Sequence, residues 1–377
     1  MPLSKSIPKP RPPLLRLLAL QVAKVYNAVH RFLAWVTGRL GKPMTAEIYF
    51  ASPVKGGVAV KGRVLLTREW REPDPQDPTW INLIQMLKRW ATPERPKSLV
   101  RLSLEGEPVE MRADHEGYFE TVIPESECHS QTLVVEFPES EVSLPIDHRL
   151  SRAGPNSDFL LISDIDDTVL VTNAARRLQM IATTLFGNAL TRQLYPGSAA
   201  LYRALQRGGK GGEPPWNPIA YVTSSPYNLH GLLQLIFEKN GLPLGLFFMT
   251  DWGLDVDKWF KKSHHVHKGE SIEQTLAWYP DQPVILIGDS GQHDTSIYID
   301  VALAYPERID LILIRDVSGR ERRRELQENV AHLAETPTAF AFFTDSVEAA
   351  QILHERGWLV ADQVEMVRRS VAEPDAE

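Results

Sequence analysis

The chain has 377 residues, 43% of them hydrophobic and 24% charged, a length for two domains and a composition that buries a sizeable core. Its single cysteine, Cys128, excludes an intramolecular disulfide framework and a cysteine-based zinc site, and it points to a reducing, cytoplasmic setting. The net charge of −7 hides an asymmetry: residues 1–46 carry eight Lys/Arg and no Asp/Glu, leaving the rest at −15, and so acidic a body argues against nucleic acid as the main partner.

Residues 1–46 form the first of three expected units. Across 13–40, Leu14, Leu18, Val22, Val25, Val29, Phe32, Leu33 and Val36 fall on one helical face, with Arg16, Lys24 and Arg31 on the other. Charges interrupt every uncharged stretch well short of the ~20 residues a membrane span needs. Arg16 also splits the apolar region that a signal peptide requires, and no small-residue cleavage site follows it. Two readings stay open. The segment is a basic amphipathic helix in an anionic membrane interface, with Phe32 and Trp35 as anchors, or a helix docked by its apolar face on the body of the protein.

Residues 47–150 read as a β-sandwich-like domain. Short alternating stretches at 57–66, 98–104, 118–123 and 131–137 are separated by Pro, Gly and Asp clusters, with one helix expected over 79–90. Asp114 to Tyr118 spells a turn into a strand, Gly117 supplying positive φ. No titratable cluster stands out here, which suggests a packing or docking role.

After Pro155 and Asn156 the texture changes, and residues 151–377 form the third unit. Apolar strands expected at 159–162, 219–222, 244–249, 284–287, 311–314 and 339–343 alternate with helices, among them 199–205, 229–239, 272–278 and 347–354. Such alternation predicts an α/β fold with a doubly wound parallel sheet. Residues 173–194 are an extra helical insertion suited to a small cap, and 208–212 a flexible loop.

Carboxylates follow two of these strands. Asp164-Ile165-Asp166-Asp167-Thr168 follows the first, and Gly288-Asp289-Ser290-Gly291-Gln292-His293-Asp294 follows the fourth. Open α/β sheets bind ligands beyond the carboxyl ends of their strands, and two converging acidic strand ends make a site for a hard divalent cation. Mg2+ suits an all-oxygen donor set: the carboxylates of Asp164, Asp289 and Asp294, with the backbone carbonyl of Asp166. Ser290-Gly291 permits the tight turn that brings Asp294 near.

The chemistry this permits is phosphoryl transfer. Asp164 can attack phosphorus to form an aspartyl-phosphate. Asp166 can donate a proton to the leaving oxygen and later take one from water. Thr168 can hydrogen-bond back and fix the turn, and Asp167 reads as a polar turn residue. Thr223 and Ser224, after the second strand, and Lys268, opening a helix over 270–278, can hold phosphoryl oxygens and offset their charge. Singly, each signal is bland: Asp-x-Asp is usually a turn, and Ser or Thr after a strand is usually a helix cap. Their order, each at a strand end, carries the argument. His264, His265 and His267 read as a solvated loop, since a transition-metal site needs further ligands, and His293 reads as a polar loop residue.

In order, the Asp164–Thr168 run, Thr223, Lys268 and the Gly288–Asp294 run resemble the four motifs of the haloacid-dehalogenase-like phosphatases. Within that superfamily, the run from Tyr221 to Leu229, His267-Lys268, and Tyr305-Pro306-Glu307-Arg308-Ile309 continuing to Ile314-Arg315 resemble the actin-patch-protein type of phosphatidate phosphatase. The resemblance spans about 158–350. It implies a haloacid-dehalogenase-like catalytic domain that releases phosphate from phosphatidate in a magnesium-dependent reaction, giving diacylglycerol. It carries over Asp164 as nucleophile, Asp166 as acid/base, Thr223 and Lys268 as phosphate holders, and Asp289 and Asp294 as metal-site residues. A soluble phosphate ester or phosphoprotein as substrate, or a scaffold that retains the fold without catalysis, are the rival readings. A lipid substrate would favour the interfacial reading of 13–40, and with it peripheral membrane association.

Overall fold

A computed structural model describes residues 43–66, 95–143, 146–171, 194–209, 213, 215–250, 264–291 and 293–373. The helix expected over 13–40, the helix expected over 79–90, residues 173–193 of the cap and residues 210–212 of the glycine loop lie outside the described residues.

The amino-terminal part is antiparallel. Strands β1 (Met44–Val54), β2 (Gly57–Leu66) and β5 (Tyr118–Pro124) form a three-stranded sheet in the order β1-β2-β5. Strands β3 (Leu99–Ser103), β4 (Val109–Arg112), β6 (Thr132–Glu136) and β7 (Ile146–Arg149) form a second sheet, ordered β4-β3-β6-β7. Alternate side chains of both meet in one apolar cluster that includes Val58, Val60, Val64, Val100, Leu102, Phe119 and Val135. The sequence pattern did not single out β1, β4 or β7. In β1 a register shift between Ile48 and Phe50 breaks the alternation that would have marked it.

The opposite face of the three-stranded sheet is partly covered by the carboxy-terminal part instead of facing water throughout, as such a face commonly does. Tyr49, Phe50, Val54 and Ala59 join the core of the carboxy-terminal part. This face also carries Glu47, Lys61, Arg63 and Glu120, so the expectation of no titratable cluster is overturned. In the sequence these charges alternate with valines and read as a solvated face.

The carboxy-terminal part is α/β, as expected. Strands β8 (Leu160–Ser163), β9 (Ile219–Pro226), β10 (Leu246–Thr250), β11 (Val284–Asp289), β12 (Ile309–Arg315) and β13 (Ala339–Phe343) form a six-stranded sheet. Its order is β10-β9-β8-β11-β12-β13, and every pairing is parallel. The described residues of this part also form seven α-helices: α1 (Ser198–Arg207), α2 (His230–Lys239), α3 (His264–Trp278), α4 (Asp294–Ala304), α5 (Arg320–Val330), α6 (Ser346–Glu355) and α7 (Ala361–Ala372). The central strands are apolar throughout because they are covered on both faces: Leu160 to Ile162 and Val284 to Leu286 are fully buried.

From β8 the chain runs outward through β9 and β10, then returns to pair β11 on the other side of β8. The direction of winding therefore reverses between β8 and β11. Crevices at such reversals, beyond the carboxyl ends of the strands, are where open α/β sheets bind ligands.

Candidate active site

Both acidic runs open into that crevice. Asp164 follows β8 directly, and its N–H donates to the Ile287 carbonyl at 2.9 Å, extending the β8–β11 ladder. The chain then closes a tight loop in which Val169 and Leu170 N–H groups donate to the Ile165 carbonyl at 2.9 and 3.0 Å. Asp167 has φ of 58°, a left-handed conformation that Asp tolerates better than most residues. It is the expected turn residue, though a buried one. Thr168 Oγ1 donates to Asp164 Oδ2 at 3.4 Å, as its position in the run suggests.

Asp289 ends β11 and Asp294 begins α4. The Gly291 N–H donates to Asp289 Oδ1 at 2.7 Å, and the Asp289 N–H lies 3.4 Å from Asp294 Oδ2. Gly288 makes the approach possible: a Cβ there would lie 2.8 Å from the Asp294 Cβ and from the Tyr298 ring. Asp294 also sits in the first turn of its helix, where the backbone dipole favours a negative charge.

Ligand oxygens from Asp164, Asp289 and Asp294 lie within 4.8 Å of one another, and all three residues are buried. Lys268, 3% exposed, donates to Asp164 Oδ1 at 2.7 Å and to Asp294 Oδ1 at 2.5 Å. The sequence placed it in a loop before its helix. In the structure α3 begins at His264, so Lys268 projects from within its second turn. His264, His265 and His267 belong to that helix as well and are not a loop. Burial pushes the Asp164 carboxyl well above its ordinary range; Lys268 pulls it down, while Asp294, Asp289 and Asp166 push it further up. Asp289 is pushed up to about 8, by burial first and Asp294 second, against the pull of Lys268. Burial opposes the charge on Lys268, but Asp164 and Asp294 outweigh it and raise its pKa.

These groups fit a divalent cation. With all three carboxylates ionised against one ammonium the buried charge would be −2, a cost that the upward shifts of Asp164 and Asp289 express, and the donors are all oxygen, the preference of a hard ion.

Asp166 stands apart from the cation cluster. Thr223 Oγ1 and Ser225 Oγ both donate to Asp166 Oδ2, at 3.0 and 3.1 Å. Strand β9 continues past the expected end at 222 to Pro226, so Thr223 and Ser225 share one face and Ser224 points to the other. Ser224 is half-buried, its carbonyl accepting from Thr250 Oγ1 at 2.8 Å. Ser225, quoted at first only within the Tyr221–Leu229 run, is a candidate site residue to which the sequence reading gave no role. A polar Thr-Ser-Ser run reads as the end of a strand, and only its continuation exposes the i, i+2 relation.

Arg315 is the second addition, quoted at first only within a motif. It ends β12, is buried, and its Nε donates to the Thr168 carbonyl at 3.0 Å. Its guanidinium lies 4.1 Å from the Tyr195 ring centroid and 4.7 Å from that of Phe343. It thereby fixes the loop that carries Asp164 and Asp166.

A buried carboxylate cluster with a bridging lysine thus sits at the switch point of a parallel α/β sheet, a set of groups that could hold a metal ion. Residues 159–316, which span β8 through β12, match the family model of phosphatidate phosphatase APP1, catalytic domain. Through this segment the chain is similar to the APP1-type family. It is 28% identical to phosphatidate phosphatase APP1 of Saccharomyces cerevisiae over 159 residues, 42% of this chain and 26% of that protein. It is 27% identical to an uncharacterized protein of Schizosaccharomyces pombe over 158 residues, 42% of this chain and 25% of that one. The match thus spans about a quarter of the length of these curated relatives. A carbohydrate acetylesterase structure from Xanthomonas citri aligns over 85% of this chain and 70% of its own at 12% identity, but with a TM-score of 0.28 it carries no argument.

Proposed function

We propose that this chain is a magnesium-dependent phosphatidate phosphatase that works through an aspartyl-phosphate on Asp164. The observation that carries the reading is the buried Asp164–Asp289–Asp294 cluster, bridged by Lys268, inside the segment that matches the APP1 catalytic family. Residues 151–377 would be the haloacid-dehalogenase-like catalytic domain and 47–150 a β-sandwich-like domain beside it.

In this reading Asp164 attacks the phosphorus of the monoester. A bond from its carboxylate oxygen to phosphorus forms as the bond from phosphorus to the glyceride oxygen breaks. Asp166, its carboxyl group fixed by Thr223 and Ser225, gives the leaving oxygen a proton. Water then attacks phosphorus, Asp166 takes a proton from it, and phosphate leaves with Asp164 restored. Lys268 holds the phosphoryl oxygens; the Thr223 hydroxyl, whose one proton goes to Asp166 in the free protein, would reach them by turning from Asp166, and Ser224 stays outside this set because it faces away from Asp166. Asp164, Asp289 and Asp294, with the Asp166 carbonyl, would hold Mg2+, which when bound offsets the repulsion between phosphate and carboxylate.

Among the described residues no helix is long and apolar enough to cross a membrane. Access to a lipid substrate would come from the basic segment 13–40 lying on an anionic surface of the cytoplasmic leaflet. The test is phosphate release from phosphatidate in mixed micelles, with and without magnesium, beside a panel of soluble esters. Metal-dependent turnover favouring phosphatidate supports the proposal. Turnover of soluble esters alone discards the lipid, and no turnover of any ester discards the phosphatase.

A further inference from the structure

The polar face of the three-stranded sheet grips the two elements that carry the phosphate-side donors of the site. Along β2, Val58, Val60 and Val64 point into the antiparallel core, while Lys61 and Arg63 point to the carboxy-terminal part. Glu47 is the register partner of Arg63 on one side, and Tyr118 on the other; Glu120 is the partner of Lys61.

These groups meet the segment that directly follows β9. Tyr49 stacks on Tyr227, ring centroids 4.3 Å apart, and Lys61 Nζ lies 5.5 Å from the same ring. Arg63 Nη1 donates to Asn228 Oδ1 at 3.2 Å. Arg63 Nε donates to the Glu116 carbonyl at 2.9 Å, and the guanidinium lies 4.3 Å from the Tyr118 ring centroid. Glu47 Oε1 lies 2.8 Å from His230 Nδ1. Tyr227, Asn228 and His230 come immediately after Thr223 and Ser225, whose hydroxyls hold Asp166. Glu120, paired with Lys61 at 2.7 Å, also accepts from Gln274 on α3, the helix that carries Lys268.

A part-buried ion network is a poor way to gain stability, because exposed pairs contribute little and apolar side chains of similar volume often do as well as buried ones. What it supplies is direction: a guanidinium whose donors are fixed by a carbonyl, an amide and a ring face holds its partner in one geometry. We propose that this face is a positioning surface for the active site, with Arg63 as its central positioning residue, setting the 223–228 segment so that the Thr223 and Ser225 hydroxyls meet Asp166. The proposal rests on the phosphatase reading for its kinetic consequence and on geometry alone for its structural one. It gives the antiparallel part, which lies outside the family match, a role in the chemistry.

The experiment compares Arg63→Ala, Asn228→Ala, the double variant and Asn228→Asp in the full chain. Each Ala variant is expected to lower kcat on a soluble ester by on the order of tenfold to a hundredfold, with KM changed little, as misplacement of a reacting group does. The double variant should be no worse than Arg63→Ala alone, since the contact that Asn228→Ala removes is already gone there. Asn228→Asp keeps an oxygen acceptor for Arg63 and should recover most of the lost rate. Hydrogen exchange supplies a readout free of activity: in Asn228→Ala it should quicken across 223–228 and stay unchanged in β11. Multiplying single effects, or exchange that rises uniformly, would overturn the positioning role and leave packing. Asn228→Ala removes one acceptor only, so it carries the test if Arg63→Ala fails to fold. Should the unmodified chain turn over no phosphate ester, the phosphatase reading falls, and the exchange result still decides whether this face positions the 223–228 segment.

Discussion

Replacing Asp289 by Asn should make the metal-free protein more stable while removing its response to magnesium. Asp289 is fully buried, and its carboxyl is pushed up to about 8, by burial and then by Asp294. The unfolded carboxyl titrates at about 4. Below that pH both states hold the proton and the group costs nothing. Between about 4 and about 8 the folded chain keeps a proton that the unfolded chain releases, so stability falls as pH rises, by about 1.4 kcal/mol per pH unit. Above the folded value the loss is complete, on the order of 5 kcal/mol. An Asn keeps the Oδ1 acceptor for the Gly291 N–H but buries an amide, at about 1–3 kcal/mol. The net gain at pH 8 is then about 2–4 kcal/mol, and nil or negative at pH 4. Denaturant unfolding in EDTA across this range measures it. Magnesium at a hundred times its Kd should stabilise the unmodified chain by about 2.7 kcal/mol and leave Asp289→Asn unmoved. A metal-free chain that gains stability as pH rises from 5 to 8, or an Asn variant less stable at pH 8, would refute this reasoning.

Three further outcomes follow from the same geometry. Asp166→Asn should abolish turnover yet retain magnesium affinity far better than Asp289→Asn, because its carboxyl group meets Thr223 and Ser225 and lies outside the cation cluster; calorimetry that shows equal loss would undo that division. Lys268→Met should cost about 3–5 kcal/mol of metal-free stability near neutral pH, by leaving Asp164 and Asp294 without their buried cation. Its turnover should fall on the order of a hundredfold or more, and magnesium should restore part of the stability but not the rate. Arg315→Met should leave the Thr168 carbonyl without its donor and cost roughly 1–3 kcal/mol; a Tm equal to that of the unmodified chain would show that the loop holds itself.

The candidate site was legible because strand chemistry is local. A fully apolar run ending in Asp can be read in the sequence, and Asp164, Asp289 and Asp294 stand where such ends place them. What required the third dimension was polar structure buried by distant partners. Thr223-Ser224-Ser225 looks like a loop, yet β9 runs through it, and Asp166 takes the hydroxyls of Thr223 and Ser225. The His-rich start of α3 shows no apolar periodicity, so the helix was placed too late and Lys268 outside it. Lys61 and Arg63 alternate with valines as residues facing water do, and only the parallel sheet packed against them shows otherwise. The bulge at Tyr49 hid β1 in the same way, by breaking a period rather than by lacking apolar residues.

The most direct test of Asp164 as nucleophile is mass spectrometry of the full chain, acid-quenched during turnover of phosphatidate with magnesium present. The account predicts one phosphoryl group on the peptide that contains Asp164, absent without magnesium and absent in Asp164→Asn, whose fold should persist. A label on another residue, or full turnover by Asp164→Asn, would contradict it.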